Sequence, residues 1–551
     1  MLPVERAVQL TKNYGTPECN RYRRQIFASH EYLAPALARY YCEIAEKSSH
    51  VEANRVLKKL HKQLTLGRTF LGLYIDSPPE DVRSFAEQRT TELIKSYYGY
   101  NKKYGPKSAL EHLIGKLAEC DLALPVNDPY TAKPEELAGA IARALDSDWW
   151  RRQIRKRQDF ILEQVQITIG NVHLKAGIYI SQDGVRRKCQ QWQRNEDLLK
   201  SLEATNDLGE VFNLFDVVNR SVSNLTNRRN EMMTRISGAE AVAKGRGDQS
   251  VFYTITAPSK YHRHMAKPCK PNPKYQDFSP LDTQLYLNTV WKRIRAKLKR
   301  DGIEIYGLRV VEPHHDGTPH WHLLLFIRPD QRAAVEKIFR YYALQEDPNE
   351  KGARLRRLKI ENIDPKKGSA VGYIAKYIAK NIDGKDVGED LYGRDAIESA
   401  VRIRAWASNW NIRQFQFIGS PSVTVWRELR RAATDEVVQK TISKIDDCRL
   451  DELVQAADSG DWAAYIELSG GPATKLSKQP LRAFQVERDR PNKYGEATQK
   501  ILGLIYAGAK KIVTRVRTWT IGPTPPVASL SVSELCFSSG GANAPPLEFC
   551  Q

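Results

Sequence analysis

Five short apolar or β-branched runs, separated by amphipathic stretches, predict an α+β protein. The expected architecture is a central antiparallel, roughly five-stranded sheet with flanking helices, set between mostly helical N- and C-terminal regions. Three observations carry this expectation. Val251-Phe-Tyr-Thr-Ile-Thr256 is a β-branched and aromatic run, typical of a strand. Two further runs, Ile303–Glu312 and His320–Ile327, are joined through Asp316-Gly317, a hairpin signal. Elsewhere apolar residues recur at three and four, as in Leu57, Leu60, Leu64 and in Leu110, Leu113, Leu117.

Taken in order, residues 1–145 read as a helical domain broken at Pro78-Pro79 and Asn127-Asp-Pro129. Residues 146–215 form a basic, mixed segment, most basic from Trp149-Trp150-Arg-Arg through Arg155-Lys-Arg157, with no catalytic pattern. The texture changes at 216. A charged, Gly-rich connector, Lys244-Gly-Arg-Gly-Asp248, leads into the first strand. Residues 281–300 form an amphipathic helix with Leu285, Trp291, Ile294 and Leu298 among its apolar positions. Residues 330–344 are helical, Leu355–Ile363 is a strand, 368–382 is a helix, and Arg413–Ile418 is the last strand of a domain spanning 216–435. Residues 436–520 read as mostly helical, as in Glu436–Leu468, and carry a basic segment from Lys510-Lys511 through Arg515 and Arg517. Residues 521–551 are rich in Pro, Ser and Gly and read as a disordered tail.

At 551 residues the chain is too long for one ordinary core. Lys plus Arg number 85 against 65 Asp plus Glu, a net charge of +20 that points to a polyanion, most commonly nucleic acid. The eight cysteines form no C-x-x-C pair, which argues against a zinc ribbon or a disulfide framework and fits a reducing cytoplasm. The start, Met-Leu-Pro-Val-Glu-Arg, lacks a signal-peptide layout, and no apolar run approaches a membrane span. A soluble, intracellular protein with no membrane partner is expected.

The chemistry concentrates in two segments. The first is Glu312-Pro-His-His-Asp-Gly-Thr-Pro-His320-Trp321-His322. His320 and His322 are two apart on a strand and therefore share a face. A hairpin folded about residue 316 sets Glu312 opposite His320 on that same face. Two imidazoles and one carboxylate make a three-ligand divalent metal site with open positions for substrate oxygen. His314 or His315 replaces Glu312 if the loop folds inward. The donor set also suits zinc or non-haem iron, so it does not fix the metal. A lone H-x-H is common in buried strands; the matching glutamate raises its weight.

The second segment is Tyr373-Ile-Ala-Lys376-Tyr377-Ile-Ala-Lys380. Tyr373 and Tyr377 lie on one helical face, with Lys376 and Lys380 on the same side. Val371, Ile374, Ile378 and Ile382 form the opposite, apolar stripe, so the tyrosines lie off the main core face. A phenol with pKa near 10 attacks a phosphate only if the phosphate charge is offset. A 3′ hydroxyl then leaves and a 5′ phosphotyrosine ester forms, conserving the bond energy for rejoining. A second tyrosine one turn away permits a second attack while the first holds an end. Lys376 and Lys380 would offset phosphate charge nearby, or else form a plain solvated helix face.

Together these segments resemble the HUH endonucleases, and within them the two-tyrosine rolling-circle replication initiators. The fullest likeness is to the replication gene A endonucleases of peduovirus-type temperate phages and their prophage relatives. It also rests on Asn224–Arg229, on Phe252-Tyr-Thr-Ile-Thr-Ala-Pro-Ser-Lys-Tyr-His262 and on Gly372–Asn381, and it covers roughly residues 216–430. The resemblance implies the HUH endonuclease fold for residues 216–435, with Phe252–Thr256 as the strand at the centre of the sheet. It implies His320 and His322 as metal ligands, Glu312 as the acidic third ligand, and Tyr373 and Tyr377 as the nucleophiles. It further implies Mg²⁺ or Mn²⁺, single-stranded DNA at a replication origin, a covalent 5′ link, a host replicative helicase and the bacterial host cytoplasm. The expected protein nicks one strand of its origin and rejoins the displaced strand. Aromatics such as Trp149, Trp150, Tyr261 and Trp321 would hold that strand. The competing expectations are a related transposase or relaxase, and a non-catalytic DNA-binding replication protein.

Overall fold

A computed structural model describes residues 2–65, 73–267, 269–364, 368–385, 387–390 and 392–524. The chain divides into two compact units: residues 1–184 with 263–273 and 487–498, and residues 185–262 with 274–486 and 499–551. The tail expected from 521 lies, beyond Thr524, outside the described residues.

The first unit is helical where the three-and-four spacing placed helices. Pro17–Ser29, Ala34–Lys47, His50–Leu64, Pro79–Ala118 and Ser147–Thr168 are its longest elements. Leu57, Leu60, Leu64, Leu110, Leu113 and Leu117 all point into one core with Trp149, Trp150 and Leu162. Helix starts are capped in the expected way: Ser49 accepts from the Glu52 amide and Asp146 from the Trp149 amide.

The second unit contains the sheets. The strands of the chain are β1 (Leu202–Asn206), β2 (Val211–Asn213), β3 (Gln249–Ile255), β4 (Tyr306–Pro313), β5 (Pro319–Ile327), β6 (Leu358–Asn362), β7 (Phe415–Ile418), β8 (Leu481–Glu487), β9 (Gln499–Tyr506), β10 (Lys510–Val513) and β11 (Trp519–Pro523). Five of them form one sheet in the order β6-β3-β5-β4-β7, with every neighbouring pair antiparallel. This is the predicted α+β architecture. One placement differs: β5, not the strand of Phe252, lies at the centre, and β3 is its neighbour. The reason is burial. All nine residues of β5 are buried, so it takes the position covered on both faces, with strands on both sides.

The register defines two faces. Thr254 pairs with His322, Phe252 with Leu324, and Glu312 with His320, so these side chains point one way. Phe252 also pairs with Glu361, and Thr254 with Lys359, which extends the same face onto β6. The helix Ala370–Ile382, hereafter the tyrosine helix, covers this face: Ile374, Ile378 and Ile382 pack with Phe252, Leu308, Val310, Leu324 and Phe326. On the opposite face Trp321 meets Trp291 of helix Pro280–Arg300, and Tyr253 stacks on Phe339 of helix Arg332–Ala343.

The C-terminal part differs from expectation. Helices continue to Leu468, but β8, β9 and β10 then form a separate antiparallel sheet, and β11 pairs with β1. Residues 481–523 are thus largely β rather than helical. Leu504 and Tyr506 on one face of β9 and Ile512 of β10 enter the main core, a period of two hidden in a short apolar run.

Ile378 is fully buried and carries no chemistry of its own. Its replacement by Ala is expected to destabilise the protein by about 2–5 kcal/mol, read as a lower midpoint in urea unfolding. A loss below about 0.5 kcal/mol would mean the tyrosine helix does not depend on its apolar stripe.

Candidate active site

Position in the hairpin explains the first cluster. Gly317 takes a positive φ of 81°, and the Gly317 amide donates to the His314 carbonyl at 2.9 Å. The Trp406 indole donates to the Gly317 carbonyl at 2.8 Å and holds the turn from outside. Glu312 on β4 therefore lies directly across from His320 on β5, with His322 one pleat further on.

Their ligating atoms converge. The Nε2 atoms of His320 and His322 are 2.9 Å apart, and His322 Nε2 is 3.6 Å from Glu312 Oε2. All three ligand atoms lie within 4.8 Å of one another, and among the described residues no other group of three such side chains does so. Thr254 Oγ1 sits 3.0 Å from His322 Nδ1 and orients that ring from behind. Burial pushes the His320 imidazole well below its usual range, helped by neighbouring His314, so it is neutral at pH 7 with a nitrogen lone pair available. Burial alone would raise the Glu312 carboxyl, but Lys380, His322 and Asn381 more than offset this and hold it at about 2. Two imidazoles and one carboxylate are a fitting donor set for a divalent cation. His314 does not join them: it stacks face-on against His320, with ring centroids 3.9 Å apart.

The tyrosine helix begins at the Ser369 cap, where the Ala370 and Val371 amides also donate to the buried Glu240 carboxylate at 3.0 and 3.1 Å. Its inward face meets the Glu312–His320–His322 cluster. Lys380 Nζ is 3.2 Å from Glu312 Oε2, and the Asn381 amide donates to Glu312 Oε1. Tyr377 packs its ring 4.4 Å from that of His322. Tyr373 is 40% exposed, and its hydroxyl donates to Glu361 Oε2 at 3.0 Å. The two tyrosine rings are 6.3 Å apart. Burial and the Glu361 hydrogen bond push the Tyr373 phenol up to about 12. Burial, with Glu312 nearby, also raises Tyr377. Lys359 and Tyr373 hydrogen bonds outweigh the burial of Glu361 and keep its carboxyl below the usual value, so it is an ionised acceptor.

The structure thus brings Glu312, His320, His322, Tyr373 and Tyr377 onto one sheet face. It separates the two lysines: Lys376 is exposed, while Lys380 is 4% exposed and neutralises Glu312, so it is not a solvated phosphate ligand. Trp149, Trp150, Tyr261 and Trp321 are all buried and offer no face for stacking a strand. Trp150 Nε1 donates to the Ala144 carbonyl, and Trp321 Nε1 to Gln284. Sequence reasoning missed Thr254, Glu361 and Asn381. Glu361 carried a faint signal, since it alternates with Lys359 along a strand; Thr254 and Asn381 carried none, because their partners lie 68 and 69 residues away.

The comparison with known families points to phages. Residues 80–385 match the family described as bacteriophage replication gene A protein (GPA), and the chain belongs to that family. It is 38% identical over 418 residues to a replication protein of Haemophilus phage HP1 (strain HP1c1), covering 75% of this chain and 52% of that protein. It is 40% identical over 420 residues to the replication gene A protein of Escherichia phage 186, covering 75% of this chain and 59% of that protein. A probable replication endonuclease from a prophage-like region of Salmonella paratyphi A (strain ATCC 9150 / SARB42) is 36% identical over 432 residues, covering 75% of this chain and 53% of that protein. The chain therefore spans little more than half the length of these relatives. No solved structure matches it. No helix among the described residues is long and apolar enough to cross a membrane.

Manganese at about 100 times its dissociation constant is expected to stabilise the protein by roughly 2.7 kcal/mol, seen as a higher thermal midpoint. The Glu312→Ala/His320→Ala variant is expected to show no such rise; an equal rise in that variant would place the ion elsewhere.

Proposed function

We propose that this protein initiates phage DNA replication as an HUH-type endonuclease and strand-transferase of the two-tyrosine class. The catalytic domain spans residues 216–435. One observation supports this above all: the Tyr377 ring lies against the His322 ring of the Glu312–His320–His322 cluster, with Tyr373 one helical turn away. Membership in the replication gene A family supports the same reading, as does a relative named as a probable replication endonuclease.

The substrate is single-stranded DNA at the origin of the protein's own genome, and the +20 net charge suits it. Glu312, His320 and His322 would hold Mg²⁺ or Mn²⁺, whose Lewis acidity would offset charge on the scissile phosphate. The Tyr373 or Tyr377 oxygen forms a bond to phosphorus, and the bond from phosphorus to the 3′ oxygen breaks. For Tyr373, Glu361 accepts the phenol proton as the attack proceeds; the departing 3′ oxygen takes its proton from solvent. The result is a 5′ phosphotyrosine ester and a free 3′ hydroxyl. Reversal by a 3′ hydroxyl of the displaced strand rejoins DNA without a nucleotide cofactor. Lys376, exposed on the same helix, meets phosphate. A host replicative helicase in the bacterial cytoplasm would unwind the strand. A non-catalytic DNA-binding role is the competing reading.

The test uses labelled single-stranded fragments tiling the DNA around the protein's own coding sequence, with Mn²⁺. Wild type is expected to form a denaturant-stable protein–DNA adduct, absent with chelator and in Tyr373→Phe/Tyr377→Phe. An adduct in that double variant would overturn the nucleophile assignment. Binding of the fragments with no adduct on any of them would favour the non-catalytic reading.

A separate measurement addresses the proton. In a Tyr377→Phe background, Glu361→Gln is expected to slow single-turnover adduct formation by about 10²-fold and to weaken its dependence on pH. An equal slowing in a Tyr373→Phe background would make Glu361 a general support of the site instead.

A further inference from the structure

The longest helical element, Pro79–Ala118, is not one rod. Gly105 is non-helical, with φ 82° and ψ 171°, and Pro106 starts a second leg. Two contacts show that the legs fold back on each other. The Tyr100 and His112 rings stack with centroids 3.8 Å apart, and Arg89 pairs with Glu119 at 3.4 Å. Both pairings centre within one residue of Gly105. The element is a helical hairpin with its tip at that glycine.

Apart from Tyr97, which packs against the helical core, the tip stands clear of it. Buried positions on the first leg end at Leu93, and those on the second begin at Ala109, so no residue from 94 to 108 is buried. Within that stretch Tyr98, Tyr100 and Tyr104 are 60%, 39% and 54% exposed. Lys95, Lys102, Lys103 and Lys107 are exposed too, and among the described residues none of them pairs with a carboxylate. No Asp or Glu occurs between Glu92 and Glu111. Lys103 lies over the Tyr104 ring, 4.9 Å from its centroid.

A solvated helix tip has no need of three exposed aromatics among unpaired cations, and such rings cost solubility. Planar rings interleaved with ammonium groups match unpaired bases on a phosphate backbone; a duplex would hide its base faces. We propose that this hairpin tip is a second DNA-binding element, which holds single-stranded DNA by stacking bases on Tyr98 and Tyr104 and pairing phosphates with Lys95, Lys102, Lys103 and Lys107. The proposal rests on the DNA-binding half of the function given above, not on the tyrosine chemistry.

The experiment uses the full chain carrying Tyr373→Phe/Tyr377→Phe, so that no covalent adduct contributes. The probes are an oligodeoxythymidine of about 20 nucleotides, one to two binding sites long, and a duplex of the same length, with anisotropy read across salt concentrations. Tyr98→Ser/Tyr104→Ser is expected to weaken oligodeoxythymidine binding about tenfold or more. Tyr98→Phe/Tyr104→Phe, which keeps the rings, is expected to restore it. Lys102→Ser/Lys103→Ser/Lys107→Ser is expected to lower the slope of log affinity against log salt by about 2. The proposal is overturned if the Ser pair binds within twofold of its parent, if the Phe pair loses as much as the Ser pair, or if the salt slope is unchanged. Tighter binding of the duplex than of the single strand also overturns it. Because binding is read without cleavage, failure here leaves the adduct experiment standing, and the converse.

Discussion

The buried carboxylate of Glu312 is the constraint on which the rest of the site depends. An ionised group removed from water must be paired or it destabilises the fold by several kcal/mol. Here its partners come from another element: Lys380 and Asn381 at the end of the tyrosine helix. The Ile374–Ile378–Ile382 stripe draws that helix onto the sheet, but hydrophobic attraction has no direction. The charged contact adds one. It ties the helix to the hairpin at a single register, and that register sets Tyr377 against His322 and Tyr373 against Glu361. Gln414 next to β7 donates to Asn381 at 3.1 Å, so the edge of the sheet steadies the same junction.

The electrostatics of the site run against a ready nucleophile. Both phenols are raised, chiefly by burial, and so remain protonated at neutral pH. In the proposed reaction the proton must leave as the bond to phosphorus forms. Glu361 is placed for that role toward Tyr373, while Tyr377 has the imidazole of His322 and the carboxylate of Glu312 as its polar surroundings. The two tyrosines share a helix face and a neighbour in Phe252, yet meet different chemistry.

Much of the fold was legible because it follows from short-range periodicity. The hairpin register needed only a turn signal and the alternation of a strand, and Glu312 does pair with His320. The stripe of the tyrosine helix needed only the 3.6-residue repeat. Where two placements met the same local pattern, reading failed. Trp149 and Trp150 lie among arginines in the chain but inside the helical core in space. Lys380 shares a helix side with exposed Lys376, yet sits over a buried acid. The strands β8 and β9 are only part-buried, so their period is faint against a preceding run of helices.

The amino-acid sequence by itself determined which residues are candidates for the proposed chemistry and which neighbours each has within its own element, because pleat and helical turn act over two to four residues. It determined the hairpin, the tyrosine pair and their side of the helix. Tertiary structure alone decided the order of the strands, with β5 at the centre, and the meeting of hairpin and helix through Glu312, Lys380 and Asn381. It also decided that Glu361 and Thr254 belong to the site. Those contacts join residues far apart in the chain, and they are selected by the burial of charge and apolar surface, which no local pattern records.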